Sequence, residues 1–137
     1  MSELVIRLGG FVRQNKLGRI FDGQTGFRLS DGNLRSPDIS FVASAGLPEG
    51  IPAGFLRVAP DLAVEVLSPT DRAGEMAHKV GEYLAVGVRL LWVVDPEKAT
   101  VVVYRPGAPP RSVRLDGALE GEDVLPGFSC PLRELLE

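Results

Sequence analysis

The stretch Leu62-Ala63-Val64-Glu65-Val66-Leu67 constrains this chain more than any other, because it is almost wholly apolar and shows no alternation between a wet and a dry side. Such a run suits a strand covered on both faces, and that requires a layer of structure on each side of a sheet. Leu90-Leu91-Trp92-Val93-Val94 and Val101-Val102-Val103-Tyr104 repeat the pattern downstream. The fold class expected is therefore α/β (α+β), a sheet core with helices packed against it. A chain of 137 residues fits one domain, 1–137. It can bury roughly two-thirds of its unfolded surface without disulfide or metal staples.

Around these runs, local signals set an order of α-β-β-β-β-α-β-β with weaker elements behind it. Leu4, Val5, Leu8, Phe11 and Val12 form a helical stripe over 3–15, which Gly9 and Gly10 weaken by about 1 kcal/mol each. A short strand is expected over 18–21, then a turn-rich stretch. A hairpin turns at Asp31-Gly32, its return strand running from Asn33 through Pro37 to Val42, with Pro37 marking an edge or a bulge. Residues 45–60 read as a loop rich in Gly and Pro. Ser68 caps a helix that has Pro69 at its first position, runs to about Val86 and turns Met76, Val80, Tyr83 and Leu84 inward; Gly87 ends it. A strand at 112–115, a loop and a terminal helix near 132–136 complete the chain. An edge position for Val101–Tyr104 would favour a homodimer.

Charge and composition exclude several classes. The formal charge of −3 argues against a general DNA-coating role while leaving room for a local site. Lys16, Lys79 and Lys98 are the only lysines; every other cation is an arginine. Cys130 stands alone, which rules out an internal disulfide and a cysteine-based zinc site. No apolar run approaches the roughly 20 residues that span a bilayer, and the first residues do not read as a signal peptide. The cytoplasm is the default compartment, with no membrane partner.

Glu65 is the anomaly. A carboxylate inside a buried run is costly unless it is paired, protonated or bound to a cation. Asp38 sits similarly, just before the apolar Ile39–Val42. Acids from two strands can meet on one face, since neighbouring strands lie only ~4.8 Å apart, and two carboxylates plus waters is a usual way to hold Mg²⁺. Asp61 lies four residues before Glu65, hence ~13 Å along the same strand, too far to share one ion. The plainer alternative is a buried ion pair between Glu65 and Arg57, Arg72 or Arg89.

Beyond this pair, the ordered blocks Ser36-Pro37-Asp38-Ile39-Ser40-Phe41-Val42, Pro60-Asp61-Leu62-Ala63-Val64-Glu65-Val66-Leu67-Ser68-Pro69 and Lys79-Val80-Gly81-Glu82-Tyr83-Leu84 resemble a bacterial family. Gly87-Val88, Leu91-Trp92-Val93-Val94-Asp95-Pro96, Gly26-Phe27, Asp31-Gly32 and Val103-Tyr104-Arg105-Pro106 fall where it has them too. That family is Uma-two, of proposed restriction endonucleases in the PD-(D/E)XK superfamily. The resemblance covers about residues 2–130. It implies a restriction-endonuclease-like mixed central sheet flanked by helices, with Asp38 and Glu65 as metal ligands. The superfamily places a Lys two residues after the Glu; here that residue is Leu67, and the similar family moves the Lys to the next helix, where Lys79 matches. By spacing alone, Lys79 lies on the flank of the buried helical stripe, with Arg72 on the same flank; a surface pair with Glu75 is its ordinary role. The chain departs from the family in opening almost inside the first helix, and Glu3 is a lesser carboxylate candidate there.

The function expected is metal-dependent hydrolysis of DNA by an Mg- or Mn-bound site: Asp38, Glu65 and the Val66 carbonyl as ligands, Lys79 as the catalytic cation. Arg13, Arg28, Arg35 and Arg72 are candidate phosphate contacts. The alternative is a catalytically degenerate nuclease fold acting as a binding or assembly module, favoured by Leu67, the short N-terminus and the acidic balance. His78 reads as a solvated helix residue, and Trp92 as core.

Overall fold

A computed structural model describes residues 1–136. Its centre is a six-stranded sheet in the order β1-β4-β5-β6-β7-β8. The strands are β1 (Gly18–Asp22), β4 (Ile39–Ala43), β5 (Leu62–Val66), β6 (Leu90–Asp95), β7 (Thr100–Tyr104) and β8 (Arg111–Val113). β5 and β6 run parallel, and every other pairing in this sheet is antiparallel. The parallel pair is joined by helix α2 (Ala73–Ala85), a crossover of the kind a parallel pair requires. The three apolar runs thus become the inner strands β5, β6 and β7; β5 and β6 are buried on both faces, whereas β7 buries Val101 and Val103 and leaves its other face half-buried.

Alternation along these strands divides two cores. Ile39, Phe41, Leu62, Val64, Leu90, Trp92 and Val94 point to one face. There they meet Leu4, Leu8 and Val12 of helix α1 (Ser2–Gln14), and Leu119, Leu125, Phe128 and Cys130 of the C-terminal segment. Val42, Ala63, Leu91 and Val93 point the other way, against Val80 and Tyr83 of α2 and against Phe27, Leu29 and Leu56. Leu4 and Leu8 are fully buried, each contributing about 1.5–3 kcal/mol. That packing holds α1 despite its two inner glycines. The helix closes with Leu17 N–H donating to the Val12 carbonyl and Lys16 N–H to that of Arg13, with Lys16 in the left-handed region at φ 54°.

Four sequence expectations are corrected. The return strand does not run through Pro37: β2 (Phe27–Arg28) and β3 (Leu34–Arg35) form a separate ribbon, and β4 begins after the proline, which has no amide hydrogen for a ladder. The helix expected from Ser68 starts instead at Ala73, because Asp71 Oδ2 accepts from the Ser68 amide at 2.7 Å and hydroxyl at 3.2 Å, closing a turn ahead of it. β7 is not an edge strand, since β8 covers it, so the argument for a homodimer from an exposed Val101–Tyr104 loses its basis. The expected C-terminal loop holds a further ribbon, β9 (Ala118–Glu120) with β10 (Ser129–Pro131), ahead of the short α3 (Arg133–Leu136). Its connection returns so tightly that a Cβ on Gly121 would lie 2.1 Å from the Leu125 carbonyl oxygen.

Candidate active site

The site forms where β4 begins and β5 ends. Register pairs Ile39 with Val64, so one step outward sets Asp38 beside Glu65 across the strand pair. Asp38 shares its parity with Val42, and Glu65 with Ala63, which places both acids on the face covered by α2. Asp38 Oδ2 accepts a hydrogen bond from the Val66 amide at 2.7 Å. The side chain thus does what a main-chain carbonyl would do in a continuing ladder. Pro37, next in line, has no N–H to give the Val66 carbonyl, so that oxygen lacks a ladder donor on the β4 side.

Helix α2 supplies the cover. Tyr83 and Lys79, one turn apart, both reach the same oxygen of Glu65: the tyrosine hydroxyl donates to Oε1 at 3.0 Å, and the Lys79 ammonium lies 3.5 Å from it. Among the described residues no protein donor takes Glu65 Oε2 or Asp38 Oδ1. Glu65 is 6% exposed. Its burial pushes the carboxyl above the ordinary range; Lys79 and Tyr83 pull it back, and Asp38 adds to the rise. The balance is upward, with burial as the largest cause. Burial and the neighbouring carboxylate also push the Tyr83 hydroxyl up, so it stays a proton donor at any physiological pH. Tyr83 is the residue that the sequence reading placed in the core without a polar role. Its position four residues after Lys79, on the same helical face, was the available signal.

The other candidates separate. The arginine partners considered for Glu65 lie elsewhere: Arg89 pairs with Asp61 at 3.2 Å, and Lys79 takes the place beside the glutamate. Asp61 is structural, since its second oxygen accepts from the Ala43 amide at 2.7 Å. Arg35 holds Glu82 Oε2 with two nitrogens, at 2.6 and 3.0 Å, and His78 meets the other oxygen of Glu82 at 2.9 Å while remaining largely solvated. Arg28 donates to the Gly32 carbonyl and lies over the Phe55 ring, out on the hairpin. Arg72 precedes α2 and lines a groove of about 570 Å³ together with Leu67, Met76 and Val93. Val93 pairs with Glu65 in register, so this groove adjoins the carboxylates. Leu67, where a Lys stands in the superfamily pattern, packs against the α2-side core. Among the described residues no group of three or more His, Cys, Asp or Glu side chains is arranged to hold a metal ion. The donors on offer are two carboxylates and one carbonyl, all hard oxygens.

The model of the Uma2 family, described as "Putative restriction endonuclease", matches residues 1–133. This chain belongs to the Uma2 family. The resemblance carried by the sequence blocks is thereby borne out. A crystal structure of a "putative nuclease belonging to DUF820" from Anabaena variabilis ATCC 29413 superposes with a TM-score of 0.88 at 24% identity. The match covers 98% of this chain and 76% of that one. At that identity it establishes the fold: a mixed sheet flanked by helices, as a nuclease-fold protein has. No functionally curated protein matches the chain. For this Uma2 protein the family and the shared fold indicate a nuclease of the restriction-endonuclease-like kind. Among the described residues no helix is long and apolar enough to cross a membrane.

Proposed function

We propose that this protein is a metal-dependent endonuclease that hydrolyses phosphodiester bonds in DNA. The observation that carries the reading is the meeting of Asp38 and Glu65 on one face of the sheet, with Lys79 directed at Glu65 from α2. The residues fit a small divalent cation, Mg²⁺ or Mn²⁺. Each carboxylate has one oxygen without a protein donor, the Val66 carbonyl stands beside them, and the buried Glu65, with Asp38 next to it, is met by the single cation Lys79. Asp38, Glu65 and the Val66 carbonyl would hold the ion. A bound ion of this type lowers the pKa of water and offsets charge gathering on the phosphate oxygens.

The chain's own groups do the rest. Tyr83 holds the Glu65 carboxylate by donating to Oε1, which leaves Oε2 free to face a cation. The Val66 amide does the same for Asp38 through Oδ2. Lys79 orients the attacking water and sets its positive charge toward the scissile phosphate. In the reaction a bond forms from the water oxygen to phosphorus as the ester bond to the sugar oxygen breaks; the attacking water releases a proton to solvent and the departing sugar oxygen takes one up. Leu67 cannot serve in place of Lys79, having no polar atom.

Two measurements test this together: thermal unfolding with and without millimolar Mn²⁺ or Mg²⁺, and cleavage of supercoiled plasmid. A metal bound only by the native state must raise the unfolding midpoint. Wild-type protein shows both the shift and cleavage, and Asp38→Ala and Glu65→Ala show neither. Cleavage that persists in either variant sinks the assignment. Wild type without shift or cleavage leaves a binding scaffold.

A further inference from the structure

A second concavity lies away from the carboxylates. The end of α1 and the start of β1 enclose about 560 Å³ lined by Gly9, Arg13, Lys16, Gly18, Arg19 and Ser44 among others, and no lining residue is acidic. Among the described residues Arg13, Lys16 and Arg19 enter no ion pair. In a chain whose formal charge is −3, three unpaired cations around one hollow are a local reversal of sign.

Two costs to the fold coincide at this hollow. Gly9 sits inside a helix, where glycine is unfavourable, yet a Cβ there would meet nothing within 4 Å. Packing does not require the glycine; its effect is to leave bare backbone on the groove wall. Lys16 takes a left-handed conformation at the helix end, a place where glycine ordinarily stands, and so carries a long cation there instead. The negative end of the helix dipole favours cations near the last turn, which accounts for part of the attraction of Arg13 and Lys16. It does not account for Arg19, which comes from β1 and joins the same hollow.

We propose that this groove holds the sugar–phosphate backbone of a nucleic acid at a point remote from where it is cut. The choice of a nucleic acid among phosphate-bearing ligands rests on the nuclease reading above. Gly18 pairs with Ala43 and Asp22 with Ile39, so the groove and Asp38 lie at opposite ends of the β1–β4 pair. Four residues of strand separate those ends by ~13 Å, about four phosphate steps of one B-form strand at ~3.4 Å each. The groove belongs to the α1 side of the sheet and the acids to the α2 side, so backbone that reaches both passes around the β1 edge. Substrates shorter than that on the groove side do not reach the cations.

The test is binding of a labelled duplex of thirty base pairs to the full chain in EDTA, where no cleavage occurs, across a salt series. The triple variant Arg13→Gln/Lys16→Asn/Arg19→Gln is expected to bind at least tenfold more weakly, with a log-affinity against log-salt slope shallower by about 0.9 for each phosphate it no longer neutralises. Gly9→Ala supplies a control of opposite sign. It raises the unfolding midpoint, since it removes a helix glycine, while weakening binding by filling the groove. Unchanged affinity and slope in the triple variant overturn the inference. So does binding of inorganic phosphate in the groove without any loss of duplex binding by the variant, which marks a small-anion site. If the triple variant binds normally and Asp38→Ala abolishes cleavage, the groove inference fails and the nuclease reading stands. If the triple variant loses binding while wild type never cleaves, the nuclease reading fails and the groove stands.

Discussion

Tyr83 donates its hydroxyl hydrogen to Glu65 Oε1 at 3.0 Å, and Lys79 approaches that same oxygen from one helical turn earlier. Both donors come from α2, whereas the acid belongs to the central strand β5. The helix therefore does two jobs at this point. Val80 seals the apolar layer, and the residues on either side of it present a hydroxyl and an ammonium to a buried carboxylate.

Tyr83→Phe isolates the positioning role. The variant keeps the ring in its packed place and removes one hydrogen bond to a charged acceptor, which costs about 1.5–3 kcal/mol when that acceptor is left buried. Glu65 loses one of the two groups that hold its carboxyl down, so its pKa rises further. The acid limb of the cleavage profile should move to higher pH, and the Mn²⁺-induced rise in unfolding midpoint should shrink. A stability loss with an unmoved pH profile would reduce Tyr83 to a packing residue.

Lys79→Met tests the cation without touching the acids. Lys79 is no ligand, so the metal-induced rise in midpoint survives at a given metal concentration, although Glu65 now titrates higher. Cleavage should fall by about 10²–10⁴-fold, the usual contribution of a positioned acid–base group. Single-turnover plasmid cleavage at saturating metal reads this directly. Near wild-type turnover would return Lys79 to an ordinary charge-balancing role.

The raised pKa of Glu65 also fixes the sign of a pH effect on stability. A carboxyl whose folded pKa lies above its unfolded value holds its proton longer in the folded state, so stability falls as pH rises from the unfolded value through the folded one. The penalty is absent at pH below the ordinary carboxylate range and complete above the raised value. Glu65→Gln removes that slope while keeping an acceptor for Tyr83. Urea unfolding of the two proteins at intervals from pH 4 to 8 should show the variant gaining on wild type as pH increases; a constant difference would contradict the buried-acid account.

Asp61→Ala serves as the contrasting carboxylate. Asp61 ties the Ala43 amide and the Arg89 side chain, joining the end of β4 to the start of β6. Its loss should destabilise the fold by about 1–3 kcal/mol, as when a partly buried donor is stranded. Cleavage per folded molecule and the response to Mn²⁺ should stay at wild-type levels. Loss of the metal response here would mean that the wrong acid of the β5 segment had been assigned.

The sequence made the inner sheet legible because β5, β6 and β7 are apolar on both faces, a pattern few other arrangements explain. Glu65 and Asp38 stood out for the same reason, one a charge inside such a run and the other a charge just before one. Tyr83 did not: a tyrosine on an inward helical face looks the same whether its hydroxyl meets water or a carboxylate, and only tertiary contact decides. The helix start was misplaced because Ser68-Pro69-Thr70-Asp71 closes equally well as an isolated turn. Strands of three residues, such as β9 and β10, are shorter than any period can register. Arg13, Lys16 and Arg19 are separated by a helix end, so nothing linear announced that they share one hollow.

Pro37 has a consequence beyond interrupting a strand. It leaves the Val66 carbonyl without a ladder donor, while the Val66 amide donates to the Asp38 carboxylate, so the first acid is tethered to the residue immediately after the second. The β4–β5 register and this one clasp together keep the two acids side by side, so position 37 bears on the site without altering either acid.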